Sequence, residues 1–166
     1  MATAESSAAQ KVRPRWASAI LWGGLVAGIL DISDAIVTWG LRGVPANRIL
    51  QAVASGLLGR ASFEGGWPTV VLGAFLHFVI ATGAAATYVA ASAKLPILVR
   101  RAVPCGLAFG VCVYLFMNYV VLPLSAYPAG SGTFSLSAFL HGVIGHALLV
   151  GLPIAFLTRK FTGPRA

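Results

Sequence analysis

The sequence predicts an all-α integral membrane protein, a bundle of four transmembrane helices. Its 166 residues are 58% hydrophobic and only 10% charged, and the apolar residues gather in four long runs. Soluble globular, disordered and disulfide-scaffold proteins do not have this composition. Backbone polar groups in lipid must be paired within the protein, so the runs are expected to be helices, and they lack the strict alternation of a β-barrel strand.

Each apolar run is long enough to cross the hydrocarbon core, which takes about 20 helical residues. The predicted spans are residues 16–39, 69–93, 103–122 and 134–158. The first run is too long for a signal peptide and has no small-residue cleavage site, so it is predicted to be an uncleaved anchor. Residues 1–15 are predicted to be a disordered cytoplasmic tail, and residues 159–166 a second cytoplasmic tail.

The basic residues predict the topology and the partners. The chain has 12 Lys and Arg against four acids, a net charge of +8 at pH 7. Three of the basic residues lie in the first loop, and the others lie before the first span, between the second and third, and after the fourth. This pattern predicts a bacterial inner-membrane protein with both termini in the cytoplasm. The charges flank spans, so we expect a lipid bilayer and no nucleic acid as partner, and four spans suggest a homo-oligomer.

Residues 45–58 of the first external loop are predicted to form a short helix outside the spans. Its apolar residues fall roughly on one helical face, and Arg48, Gln51 and Ser55 fall on others. Two interpretations stay open: a helix that lies on the outer membrane surface, and a helix packed across the mouth of the bundle. The apolar face is Ile49, Leu50, Val53, Leu57 and Leu58.

The sequence also contains an internal similarity that favours two tandem two-helix repeats. Residues 72–81 match residues 136–145 at seven of ten positions, and His77 aligns with His141. A weaker similarity relates residues 24–28 to residues 106–110. Each copy would enter the membrane in the same direction, so the two histidines would lie at one depth. The alternative is coincidence within a restricted apolar alphabet.

Ionisable residues lie inside the spans, where lipid penalises them. An aspartate at the centre of a membrane helix costs about 2.5–3.5 kcal/mol, so Asp31 and Asp34 are expected to face the bundle, along the same stripe as Gly24 and Gly28. At about 1.5 Å per residue, a set of polar side chains lies within roughly 13 Å of the outer ends. His146 is about 18 Å deep and is left outside the set. The predicted cluster is Asp31, Asp34, His77, Asn118 and His141.

Several chemistries fit this cluster. Carboxylates beside imidazoles can hold or pass a proton, so the leading hypothesis is movement or sensing of protons or small cations. The main alternative is a structural layer that only fixes helix packing. A divalent metal held by His77, His141 and Asp31, or a haem between the two histidines, comes third. The chain has no phosphate-binding loop and no hydrolase motif, so we expect neither an enzyme nor a bound cofactor.

Four short sequence motifs in the spans carry a resemblance to a known family. They are Gly24 to Gly28 with Trp39 and Gly40, His77 and the small residues up to Tyr88, Gly106 through Leu122, Pro123 and Leu124, and Gly145 with His146 leading to Arg159. With these motifs the chain resembles the YagU-type family of small, largely uncharacterised bacterial inner-membrane proteins. The resemblance covers the four spans but neither the tail nor the predicted surface helix; it implies an inner-membrane location and supplies no mechanism.

Overall fold

The computed structural model describes residues 15–128 and 135–163, which contain six helices and a short 3-10 helix, Gly59–Phe63. Four of them are long and apolar enough to cross a membrane: α1 Trp16–Gly40, α3 Gly66–Lys94, α5 Ala102–Leu124 and α6 Leu136–Thr162. Two shorter helices are α2 Ala46–Leu58 and α4 Ile97–Arg100. No strand occurs within these residues. The predicted all-α bundle of four membrane-spanning helices is confirmed.

The helices extend beyond the predicted spans at several ends. Helix α3 begins three residues earlier, at Gly66, which takes a φ of 59°. Helix α6 continues to Thr162, past the predicted start of the second tail, and the Thr162 hydroxyl donates to the Thr158 carbonyl at 2.8 Å. Hydropathy locates the apolar part of a helix and not its hydrogen-bonded end. Most of the predicted first tail, residues 1–14, and Phe134 of the fourth predicted span lie outside the described residues.

The bundle has two distinct ends. At the α2 end, α1 and α5 finish and α3 and α6 begin, at Gly40, Leu124, Gly66 and Leu136. At the other, which we call the terminal end, α1 begins and α6 finishes. There the Arg15 amide donates to the Phe161 carbonyl at 3.0 Å, and the Arg15 guanidinium lies 5.5 Å from the Phe161 ring. The described part of the chain therefore starts and ends at the same side.

Glycines set the order in which the spans pack. Gly24 and Gly28 lie against Thr82 and Phe78 of α3, so close that a Cβ on either glycine would clash. On the other side of the bundle, Gly110 lies against the His146 backbone of α6. Small residues allow membrane helices this close approach. Helix α1 thus packs between α3 and α6, and α6 packs between α1 and α5.

The two helices within each predicted repeat pack together in a similar way, but the contacts between the two repeats are unequal. Helices α1 and α3 pack through Gly24 and Gly28 of α1, and α5 and α6 pack through Gly106 and Gly110 of α5. Between the halves, α1 packs against α6, whereas an apolar groove of about 520 Å³ separates much of α3 from α5. The duplication itself stays a prediction.

The buried core runs from the middle of the bundle to the terminal end. Tyr88 is its largest residue; its hydroxyl donates to the Leu98 carbonyl at 2.9 Å, and its ring packs edge-on against Phe109 at 4.9 Å. Alanine, valine and isoleucine side chains fill the rest, each at most 5% exposed. The core residues are Ala27, Ala85, Tyr88, Ala102, Val150, Ile154 and Ala155.

Helix α2 packs against the bundle with a face that shares only Ile49 with the predicted apolar face. It crosses α3 where Gly73 meets the Leu50 carbonyl, and Gly56 accepts a hydrogen bond from the Ala126 amide at 2.9 Å. Leu57 and Leu58 are exposed. The buried face is small and partly polar, because a close crossing of two helices admits short side chains better than leucines. It consists of Ile49, Gln51, Ala54 and Ser55.

A buried hydrogen-bond network fastens α2 to the start of α3. The Gln51 amide donates to Thr69 Oγ1 at 3.2 Å, and the Thr69 hydroxyl donates to the Ser62 carbonyl at 2.6 Å. The Ser62 hydroxyl in turn donates to the Gln51 carbonyl at 2.9 Å. We call these three residues the α2 cluster; all are buried, and none is ionisable.

Candidate functional site

An open pocket of about 540 Å³ lies among α1, α5 and α6, toward the α2 end of the bundle. Ionisable side chains line it together with aromatic rings, and we call it the Asp/His pocket. Trp39 and Arg42, from the end of α1 and just beyond it, mark its mouth. The polar and charged side chains on its wall include Asp31, Asp34, Thr38, Asn118, His141 and His146.

Nearer the mouth, α1 and α6 are joined by a direct carboxylate–imidazole contact. His141 Nε2 lies 2.9 Å from Asp34 Oδ2 and 3.2 Å from Thr38 Oγ1. The 2.9 Å distance is that of a hydrogen bond, so one proton is shared between the imidazole and the carboxylate. The side chains are 46% exposed at His141 and 30% at Asp34, so the surrounding protein does not enclose the pair.

Deeper in the pocket, a second carboxylate and imidazole face each other without a hydrogen bond. His146 Nδ1 lies 3.0 Å from the Gly142 carbonyl, which can only accept, so Nδ1 carries a proton. The other ring nitrogen, Nε2, lies 3.8 Å from Asp31 Oδ1. When the imidazole is neutral and Asp31 is ionised, both of these atoms are acceptors. Such a pair is satisfied by an added proton or by a donor placed between the two atoms.

Helices α5 and α6, which line the pocket together with α1, change to a wider π-helical winding beside it. The π segments are Met117–Val121 in α5 and His146–Gly151 in α6. Each ends two residues before a proline, Pro123 or Pro153. A proline has no amide proton and its ring collides with the carbonyl four residues earlier, which a wider turn relieves. Short π segments in α-helices are frequent at functional sites.

Four of the five predicted cluster residues line the pocket, and His77 does not. The His77 Nε2–H donates to the Gly28 carbonyl at 2.8 Å, at the contact between α1 and α3. At 100° per residue, Asp34 lies about 120° around α1 from Gly28, so the two face different neighbours. Asp34 therefore does not continue the stripe of Gly24 and Gly28. Asp31, in contrast, lies only about 60° from Gly28 and about 20° from Gly24.

The predicted metal set of His77, His141 and Asp31 is consequently not assembled. His77 lies at the interface of α1 with α3, whereas His141 lies at that of α1 with α6. The same separation removes the basis for a haem between the two histidines. Within residues 15–128 and 135–163, no group of three His, Cys, Asp or Glu side chains is placed to hold a metal ion.

Sequence reasoning missed His146. Counting depth from helix ends placed it below the cluster, yet it faces Asp31, and its ring packs edge-on against Tyr114 at 5.2 Å. The order of the aspartates along α1 and of the histidines along α6 could have identified His146. Helices α1 and α6 run in opposite directions, so the deeper aspartate pairs with the deeper histidine. Thr38, Tyr114 and Arg42 were not assigned to the cluster either.

The chain matches no protein-family model, no curated protein and no solved structure. The resemblance to the YagU-type family therefore stays a prediction, and the pocket has to be interpreted from its own geometry.

Proposed function

We propose that the protein takes up protons or small cations in the Asp/His pocket, from the side of the membrane on which α2 lies, and senses or moves them. The observation that carries the proposal is that Asp31 Oδ1 and His146 Nε2 face each other 3.8 Å apart in an open pocket. When the imidazole is neutral and Asp31 is ionised, both atoms are acceptors and the arrangement lacks a proton or a cationic donor. Ionisable groups inside a membrane span are rare outside functional sites.

The distribution of basic residues supports a periplasmic opening. Among the described residues, six Lys and Arg lie at the terminal end, and only Arg42, Arg48 and Arg60 lie toward the α2 end. By the positive-inside rule, the terminal end is cytoplasmic and the pocket faces outward from the bacterial inner membrane. The terminal-end residues are Arg15, Lys94, Arg100, Arg101, Arg159 and Lys160.

The buried core favours uptake from one side over a continuous pore. Tyr88, Ile154 and their neighbours fill the bundle between the pocket and the terminal end. Transfer across the membrane would therefore require a rearrangement, for which the π segments beside the pocket offer a local change of winding. Four spans also leave little room for a complete transport path, so we infer that the protein works as a homo-oligomer.

The test measures both forms of the activity in one preparation. Proteoliposomes containing a pH-sensitive dye report proton entry after an acid pulse outside. The fluorescence of Trp39, with the other three tryptophans replaced by phenylalanine, reports the state of the pocket as the pH changes. We expect Asp31→Asn to remove whichever of these responses the unsubstituted protein gives.

Two matched variants act as controls. Glu64→Gln neutralises an exposed acid outside the pocket, and His77→Gln removes the histidine that lies elsewhere. Both are expected to respond like the unsubstituted protein. Responses that persist unchanged in Asp31→Asn would overturn the proposal.

The second candidate function is a structural one, in which the polar layer only fixes helix packing. The direct contact between His141 and Asp34, which joins α6 to α1, favours it. It predicts that pocket variants change the stability of the bundle and leave no response to pH or to cations. The same two measurements therefore separate the two functions.

A further inference from the structure

The deep end of the Asp/His pocket is shaped to accept hydrogen bonds from one nitrogen. Asp31 Oδ1 and His146 Nε2 lie 3.8 Å apart, and His146 Nδ1 is already committed to the Gly142 carbonyl. A nitrogen located at about 2.9 Å from each acceptor fits between them and can donate to both if it carries at least two protons. A primary ammonium group has three such protons and the charge that complements Asp31.

The walls of the pocket suit the rest of an organic ion. Trp39, Tyr114, Tyr119 and Phe139 contribute aromatic rings, and Tyr114 packs edge-on against Phe139 at 5.7 Å. Aromatic rings attract organic cations through their faces and cover apolar groups. A polar floor below aromatic walls is the lining expected for an amine with a hydrocarbon body.

The size of the pocket and its ligand set speak against a bare inorganic ion. Its volume of about 540 Å³ lies in the range of small-molecule sites, about 300–1,000 Å³. A single divalent ion needs several oxygen or nitrogen ligands around it, and the described residues contain no group of three suitable His, Cys, Asp or Glu side chains.

The mouth of the pocket carries a positive charge, opposite in sign to a carboxylate at its deep end. Among the described residues, Arg42 is the only Lys or Arg that lines the pocket, and its guanidinium stacks 4.9 Å from the Trp39 ring. It follows Asp34 by eight residues, about two helical turns toward the mouth. A second positive charge on the ligand would meet Arg42, so a monoamine fits better than a diamine.

We propose that the Asp/His pocket binds a small organic monoammonium ion, with its ammonium group between Asp31 and His146 and its hydrocarbon body against the aromatic walls. This inference rests on the proposed function, because it names the class of cation that the same pocket takes up.

The experiment is isothermal titration of the full-length protein in nanodiscs with n-butylammonium chloride. We expect saturable binding, and binding about tenfold or more weaker for tetramethylammonium, which has no N–H, and for potassium, which has no hydrocarbon body. Butane-1,4-diammonium is expected to bind more weakly than n-butylammonium. Absence of saturable binding, or binding of potassium as strong as that of the amine, would overturn the inference.

Variants of both acceptors locate the site. Asp31→Asn removes the charge, and His146→Leu removes the second acceptor while retaining Asp31. Each is expected to weaken n-butylammonium binding about tenfold or more, whereas Glu64→Gln binds like the unsubstituted protein. The two pocket variants are independent, so a folding defect in one leaves the other to decide. Unchanged binding in a folded pocket variant contradicts the proposed location.

The outcomes separate this inference from the proposed function. If no amine binds while the pH response still depends on Asp31, the ligand class is wrong and proton uptake stands. If neither amine binding nor a pH response depends on Asp31, both proposals fail. Amine binding lost in Asp31→Asn supports the inference, whether or not protons also cross the membrane.

Discussion

Two polar clusters lie toward the same end of this apolar bundle, and they are built in opposite ways. In the α2 cluster, Gln51, Ser62 and Thr69 are at most 8% exposed, carry no ionisable group and satisfy one another. In the Asp/His pocket, Asp34 and His141 are 30% and 46% exposed, and Asp31 and His146 face each other without a hydrogen bond. A closed, fully paired network holds helices together, whereas an open and unfinished one has capacity for a ligand.

The largest effect on the α2 cluster is expected when α2 is displaced from the bundle. In Gly73→Val, the new side chain collides with the backbone carbonyl of Leu50, which cannot rotate away. We expect a loss at the upper end of about 1–3 kcal/mol in the free energy of unfolding. Equilibrium unfolding in mixed micelles measures it, and hydrogen exchange should show faster exchange of the α2 amides. Protection of α2 at the level of the unsubstituted protein would contradict the close contact between Gly73 and Leu50.

A smaller loss is expected from opening the network without moving the helix. Thr69→Val keeps the shape of the side chain but removes the hydroxyl that donates to the Ser62 carbonyl and accepts from Gln51. Leaving these buried groups unpaired costs about 1–3 kcal/mol. The same micelle unfolding measurement tests this, with Thr87→Val on the exposed face of α3 as the matched control. Responses of the pocket to pH and amines should not change.

A substitution in the Asp/His pocket should show the reverse pattern, with a small change in the free energy of unfolding and a clear change in the response to cations. Asp34→Asn retains an oxygen that can accept from His141 and removes only the charge of a partly exposed pair. We expect a change of about 1 kcal/mol or less in the free energy of unfolding, together with a weakened response to cations. A large loss of stability with an unaltered response would instead favour the structural function.

The smallest effect is expected at the histidine outside both clusters. His77→Gln keeps a side-chain N–H that can donate to the Gly28 carbonyl. Stability should change by less than about 1 kcal/mol, and amine titration and proton entry should match those of the unsubstituted protein. A lost response in this variant would mean that the contact of α1 with α3 is coupled to the pocket.

Much of the candidate site could be predicted because lipid limits where ionisable groups can lie. Asp31, Asp34, Asn118 and His141 were expected to turn inward and do line one pocket. His77 is also an ionisable residue inside a span, but it lies at the contact of α1 with α3, because a bundle of four helices has more than one interior interface. Periodicity assigns a residue to a face of its helix, and it does not say which neighbour that face meets.

By itself, the sequence determined the four spans, the short helix between the first two, and the prolines that follow the π segments. These features follow from hydropathy, length and the missing amide proton of proline, all of which act within one helix. Only the tertiary structure decided that α1 presents its glycines to α3 and its aspartates to α6, that His146 joins the pocket, and that α2 docks through Gln51 and Ser55. Those choices depend on how closely two backbones can approach, which is a property of pairs of helices and not of any one of them.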